Sequence, residues 1–134
     1  QLPRLFQVVV VRPERRVAEL PPGERLEGWG ASSGRCTSRA CFLTGPGEPL
    51  PAGAILLAEA TDASWSPLFL RAGAIVLERG GPLSHAAILA RELGVPAVLN
   101  VGTSVRLLDR CALTVDGDSG IVVVHGADDG GESS

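Results

Sequence analysis

The chain has 134 residues, 45% of them hydrophobic and 20% charged, with a formal charge of −3; that is one ordinary domain, large enough to bury a core without disulfide or metal staples. The acidic balance and an aromatic content of only 4% exclude the basic face and base-stacking platforms of a nucleic-acid binder. No apolar run approaches the ~18 residues of a membrane span, and the valine run at 8–11 is too short for a signal-peptide core, so no membrane partner and a cytoplasmic localisation are expected.

All twelve basic residues are Arg, which excludes a lysine Schiff base and a Walker A phosphate loop. Position 1 is not Met, and the chain is expected to be a domain of something larger. Cys36, Cys41 and Cys111 form no CxxC pair and read as small buried hydrophobes in a reducing compartment.

In chain order, 8–11 reads as a strand or docked arm, and the Pro/Gly-rich, charged stretch 12–28 as linker. Residues 35–43 alternate partially and predict a strand, followed by a turn-rich loop at 45–53. The short apolar runs 54–60 and 73–78, flanked by glycines, predict buried strands. Between them, DASWSPLFL offers Asp62 or Ser64 as N-cap and Pro67 in the first turn, a short helix with Trp65, Leu68 and Phe69 inward.

The strongest helix is 84–93, with Ser84 as N-cap, Gly94 as stop and Pro96 beyond it. A strand at 97–102, a short helix at 103–108 and a terminal hairpin, 113–115 and 121–126 about the turn VDGDSG, complete the pattern. The tail after 126 is acidic and glycine-rich, hence expected to be disordered. Strands alternating with short helices before a hairpin predict an α/β domain with a mixed sheet.

The chemistry concentrates in IVLERGGPLSHAAILARELG, 75–94. A strand enters Gly80-Gly81, and a helix starts whose first turn carries His85. The first amides of a helix lack intrahelical partners and the macrodipole adds partial positive charge, while glycines let an anion approach the backbone. A phosphoryl group on a His85 ring nitrogen would be stabilised there. Arg91 is rotated from His85 by roughly 600°, about 240° net, so it does not stack over the ring, though its long fork matches phosphoryl oxygens.

Spacing alone leaves the alternatives open: a structural His85, or a phospho-acceptor. A Ser84–His85 catalytic pair is disfavoured because adjacent helical residues do not face each other. A metal site is disfavoured because His85 has no His or Cys three or four residues away. Glu78 and Arg79 read as an exposed ion pair or as contacts to a partner or phosphate. His125 reads as a surface group, and Asp116 and Asp118 as turn formers.

RGGPLSHAAILARELGVPAV (79–98) resembles the signature of the phosphohistidine swivelling domain of PEP-utilising enzymes. AGAILLAEATDASWSPLFLRAGAIV (52–76), GWGASSGRC (28–36) and LTVDGDSGIVVV (113–124) resemble the flanking family segments, so the likeness spans about 26–124. It implies a swivelling β/β/α fold, an arm or linker at 1–25, the domain at 26–125 and a tail at 126–134. It also implies a phosphoryl carrier of a multidomain, dikinase-type phosphotransferase, inactive by itself.

The resemblance assigns His85 as the transiently phosphorylated residue and Gly80, Gly81, Ser84 and Arg91 as its phosphoryl-binding set. Asp62 and Trp65 match a local structural motif. The implied partners are an ATP-grasp nucleotide-binding domain and an acceptor or PEP-binding domain, with Mg²⁺ and ATP on those domains and no cofactor on this one. Two departures stand out. Leu77 occupies a position where the family usually has Thr, and Ser32-Ser33-Gly34 lacks the family's proline. They keep open an alternative, a degenerate module with a binding or regulatory role.

Overall fold

The computed structural model describes residues 23–127. Its strands are β1 (Arg25–Glu27), β2 (Trp29–Ser32), β3 (Arg35–Phe42), β4 (Ile55–Ala58), β5 (Ala74–Leu77), β6 (Ala97–Leu99), β7 (Cys111–Asp116) and β8 (Ile121–Ala127). A 3-10 turn (Ala63–Trp65) leads into helix α1 (Ser66–Arg71) after β4. Helix α2 (His85–Leu93) follows β5, and a second 3-10 segment (Thr103–Leu108) follows β6.

β4 and β5 are buried at every position, as expected of parallel strands covered on both faces. Alternation then sorts the side chains. Ile55, Leu57, Ala74, Val76 and Val98 face a core shared with Leu113, Val115 and Val122. Leu56, Ala58, Ile75, Leu77 and Leu99 face a second core under the helices, with Phe69, Ala87 and Ala90. Each fully buried Leu, Ile or Phe contributes about 1.5–3 kcal/mol, so both faces hold the sheet together.

The sheet order is β1-β8-β7-β3-β4-β5-β6-β2. β3, β4, β5 and β6 run parallel in sequential order, and right-handed crossovers then put both helices on one face. The other pairings are antiparallel. β3 joins the two halves: Arg35–Arg39 pair with β7 and Ala40–Phe42 with β4. The edge strands β1 and β2 are consecutive in the chain, so the sheet curls until its ends meet at Gly28, whose amide donates to Gly120 O at 2.8 Å. At this seam a Cβ on Gly30 would collide with Gly117 O, and one on Gly117 with Ser32 O. Only glycine permits the backbones to come this close.

The α/β class with a mixed sheet holds, and the expected strands at 35–43, 54–60 and 73–78 are present with ends shifted by a few residues. The expected linker 12–28 needs correction: 25–27 form β1, paired with Ile121–Val123. Trp29–Ser32 form a strand the pattern did not predict, paired with β6. Both gain their hydrogen bonds from segments far along the chain, which local pattern does not register. The helix at 103–108 is a 3-10 segment. Of the expected tail, Gly126 and Ala127 end β8; the 8–11 strand and the rest of the tail lie outside the described residues.

Candidate functional site

Seven residues connect β5 to α2, and glycine sets their path. Gly80 sits at φ 144°, a region L side chains rarely adopt, and a Cβ there would lie 3.1 Å from Leu99 Cδ1. Gly81 has open space around its Cα. Its carbonyl accepts from the Ser84 amide at 3.1 Å and the Ser84 hydroxyl at 2.8 Å. Ser84 is the N-cap: its Oγ also accepts from the Ala87 amide at 3.3 Å. That hydroxyl proton is therefore engaged in shaping the turn.

His85 is the first helical residue. Its ring meets Phe69 edge-on, with centroids 6.0 Å apart and planes at 62°. Nδ1 is buried with no hydrogen-bond partner. The Asp62 carboxylate caps the 3-10 turn nearby. Hydrogen bonds from the Ser64 hydroxyl and amide hold its pKa below the usual carboxylate value, and the charge of His85 adds to that effect.

Arg91 does not project freely at His85. Its Nε donates to Ala31 O at 2.8 Å, one terminal nitrogen donates to Pro82 O at 3.2 Å, and the guanidinium lies 5.4 Å from the Trp29 ring centroid. The side chain straps β2 to the glycine turn. Glu78 and Arg79 do not pair with each other. Glu78 is 5% exposed and accepts from Arg106 Nε at 2.7 Å. Arg79 reaches Glu59 at 2.9 Å, and Arg106 stands 3.9 Å from the other Glu59 oxygen.

A cleft of about 120 Å³ beside the turn is lined by Ala60, Thr61, Leu77, Arg79, Gly80, Ser84 and Ala86. Thr61 Oγ1 is buried there without a partner. Leu77 is 1% exposed and presents carbon to the cleft. Sequence reasoning missed Thr61 because nothing local distinguishes a threonine beside a capping Asp from a cleft-lining one. It left Arg79 undecided because Glu59, its partner, lies on another connection.

The remaining candidates sit apart. His125 Nε2 shares a 2.7 Å hydrogen bond with Thr114, which meets Thr37 across the antiparallel ribbon. Asp116 accepts from the Asp118 amide at 3.0 Å in the hairpin turn. Burial pushes the Cys36 and Cys41 thiols up, away from thiolate chemistry. Among the described residues no group of three His, Cys, Asp or Glu is placed to hold a metal ion, and no helix is long and apolar enough to cross a membrane.

Fold and site together define a mixed α/β domain with a histidine at a helix start behind a glycine turn. A family model described as the mobile domain of PEP-utilising enzymes matches residues 50–120, more than half of the chain, and the chain belongs to that family. It is 42% identical over 105 residues to the prodigiosin synthesizing transferase PigC of Serratia marcescens, covering 75% of this chain and 12% of that protein. It is 40% identical over 108 residues to the phosphoenolpyruvate synthase of Aeropyrum pernix, covering 77% of this chain and 13% of that one. The chain thus spans about an eighth of the length of these relatives.

Among solved structures, the N-terminal domain of Enzyme 1 – Nitrogen aligns with a TM-score of 0.51 at 32% identity, over 58% of this chain and 34% of that one. Aconitase X of Thermococcus kodakaraensis aligns with a TM-score of 0.61 over 76% of this chain and 98% of that one, at 19% identity, a likeness of fold alone.

Proposed function

We propose that this chain is a phosphoryl carrier that acts through His85 within a larger phosphotransferase. The observation that supports the reading best is the setting of the His85 ring: Nδ1 is buried without a partner, and the residue opens α2 directly after the glycine turn and the Ser84 cap, so the reading takes Nε2 as the attacking nitrogen. Family membership adds to it.

In the first transfer the Nε2 lone pair forms a P–N bond while the P–O bond to the donor nucleotide breaks, its electron pair leaving on oxygen; the imidazole proton stays on Nδ1. In the second, the P–N bond breaks and an acceptor oxygen takes the phosphoryl group, with pyruvate or a hydroxyl compound as acceptor. Helix dipole and turn amides favour the charge carried in between. Gly80 and Gly81 give access, Ser84 shapes the turn, and Arg91 braces it through Pro82 O. An ATP-grasp domain and an acceptor or PEP-binding domain are the partners, with Mg²⁺ and ATP held there, and the cytoplasm is the compartment. The strands at its two ends, β1 and β8, extend the folded unit to at least 25–127.

A second reading, a degenerate binding or regulatory module, is favoured by one observation, the apolar Leu77 in the cleft wall. One experiment separates the two. The full-length protein that carries this domain is incubated with Mg²⁺ and ATP labelled at the β-phosphate, and separately at the γ-phosphate. The carrier acquires acid-labile, base-stable label that His85→Ala abolishes. No label from either ATP, nor from labelled PEP, makes the domain a degenerate module.

A further inference from the structure

We propose that Arg79 is the side chain that grips the phosphoryl group on His85, exchanging the Glu59 carboxylate for phosphoryl oxygens when the histidine is loaded. The proposal rests on the carrier reading above and adds to it a residue and a motion. Arg79 lines the cleft at the glycine turn together with Gly80, Thr61 and the two residues that flank His85 in the chain, Ser84 and Ala86.

The other polar groups at the turn are committed. Arg91 spends Nε and a terminal nitrogen on the carbonyls of Ala31 and Pro82 and stacks on Trp29. The Ser84 hydroxyl donates to Gly81 O. Arg106 is anchored through Nε to the buried Glu78. Arg79 alone in this set is held only by an exposed partner: the side chains of the Arg79–Glu59 pair are 66% and 50% exposed, and such pairs contribute little to stability.

Breaking that pair does not strand Glu59, because Arg106 already stands 3.9 Å from its second oxygen and closes on it. The guanidinium fork then meets two phosphoryl oxygens at once, a geometry an ammonium lacks. A separate observation marks the same cleft as built for an oxygen-rich ligand: the buried Thr61 hydroxyl has no partner in it. A cleft needs roughly 10–15 Å³ of volume to hold one water, so about 120 Å³ has room for a phosphoryl group. Asp62 interacts electrostatically with His85, Arg91 holds the turn through Pro82 O, and Glu59, Glu78, Arg79 and Arg106 form the ion cluster along the neighbouring rim.

The test uses the 134-residue chain and potassium phosphoramidate, a small donor whose phosphorus forms the P–N bond to His85 as its own P–N bond breaks and ammonia leaves. Phosphohistidine is followed by ³¹P NMR, and its phosphoryl titration recorded from pH 5 to 9. Arg79→Ala is expected to slow loading about fivefold and raise the phosphoryl titration midpoint by about half a unit. Its unloaded melting temperature should stay within about 2 °C of wild type, a combination that a merely structural role does not produce. Arg79→Lys restores part of the titration shift, and Glu59→Gln, which frees Arg79, loads as fast as wild type or faster. Equal loading and equal titration in Arg79→Ala overturns the assignment and leaves the carrier reading standing, as does slower loading in Glu59→Gln for the exchange. A wild-type chain that forms no phosphohistidine, under conditions that load free imidazole, overturns both.

Discussion

The glycine pair before α2 separates a structural requirement from a functional one, because the two residues meet opposite surroundings. In Gly80→Ala the new methyl takes a backbone at φ 144° and stands 3.1 Å from Leu99 Cδ1 and 3.4 Å from Leu99 Cβ. Left-handed backbone strain and a tight contact with a buried side chain together cost about 2–3 kcal/mol. For a domain near 100 residues, where 1 kcal/mol shifts the melting temperature by roughly 4–8 °C, the expected fall is roughly 8–24 °C. In Gly81→Ala the methyl meets nothing within 4 Å, and the loss of freedom in the unfolded chain is worth about 0.4–1 kcal/mol of stabilisation. Its melting temperature is therefore unchanged or a few degrees higher. Yet that methyl stands at the turn whose amides a phosphoryl group must approach, so loading of His85 by phosphoramidate slows even though the fold is intact. Thermal melts by circular dichroism read the first effect and ³¹P NMR the second. A Gly81→Ala chain that melts as low as Gly80→Ala refutes the conformational argument; one that loads like wild type removes Gly81 from the phosphoryl cradle.

Leu77→Thr exchanges a buried leucine, 1% exposed, for a smaller side chain with a hydroxyl, at a cost of about 2–3 kcal/mol. In a working carrier its loading should change only modestly, whereas loading that appears solely in this variant identifies a degenerate module; melts and ³¹P spectra of the same samples decide. Asp62 has a depressed pKa, held down first by its hydrogen bonds from Ser64, so its stabilising contribution is present above the unfolded value of about 3.9 and is lost as pH falls through the folded one. Melting temperatures of wild type measured from pH 7 to pH 2 should decline more steeply in the acid range than those of Asp62→Asn. Part of the decline persists in the variant, because Asp116 is depressed for the same reason, through the Asp118 amide.

Where one contiguous segment determines an element, the sequence was sufficient. The glycine-flanked apolar runs at 54–60 and 73–78 announce strands because parallel strands buried on both faces need no polar alternation. Ser84, Gly94 and Pro96 bracket α2 because capping is set by residues within one turn of the helix end. β1 and β2 were not legible for the opposite reason. Arg25–Glu27 and Trp29–Ser32 are short and rich in polar or small residues, and they are strands only because Ile121–Val123 and Ala97–Leu99 supply their hydrogen bonds. The same limit explains Arg91. Helix geometry says where Arg91 leaves the helix, but its partner, Ala31 O, belongs to a strand that the pattern did not contain.

The site divides along the same line. His85, the glycines and the Ser84 cap occupy one stretch of six residues, so their chemistry could be argued from order alone. Thr61, Glu59 and Arg79 meet only because β4 and β5 lie side by side in register, Ala58 against Leu77, which brings the first two or three residues after each strand to one rim of the sheet. That rim is the end from which α2 departs. The antiparallel half packs Leu113, Val115 and Val122 into the core on the other face of β4 and β5 and contributes no residue to the cleft lining. A group added to His85 therefore meets the glycine turn and the ion pairs along the rim, while both cores keep their packing. On the proposed carrier reading, loading then requires only a side-chain exchange among exposed charges, and the domain can remain one rigid body in both the loaded and the unloaded state.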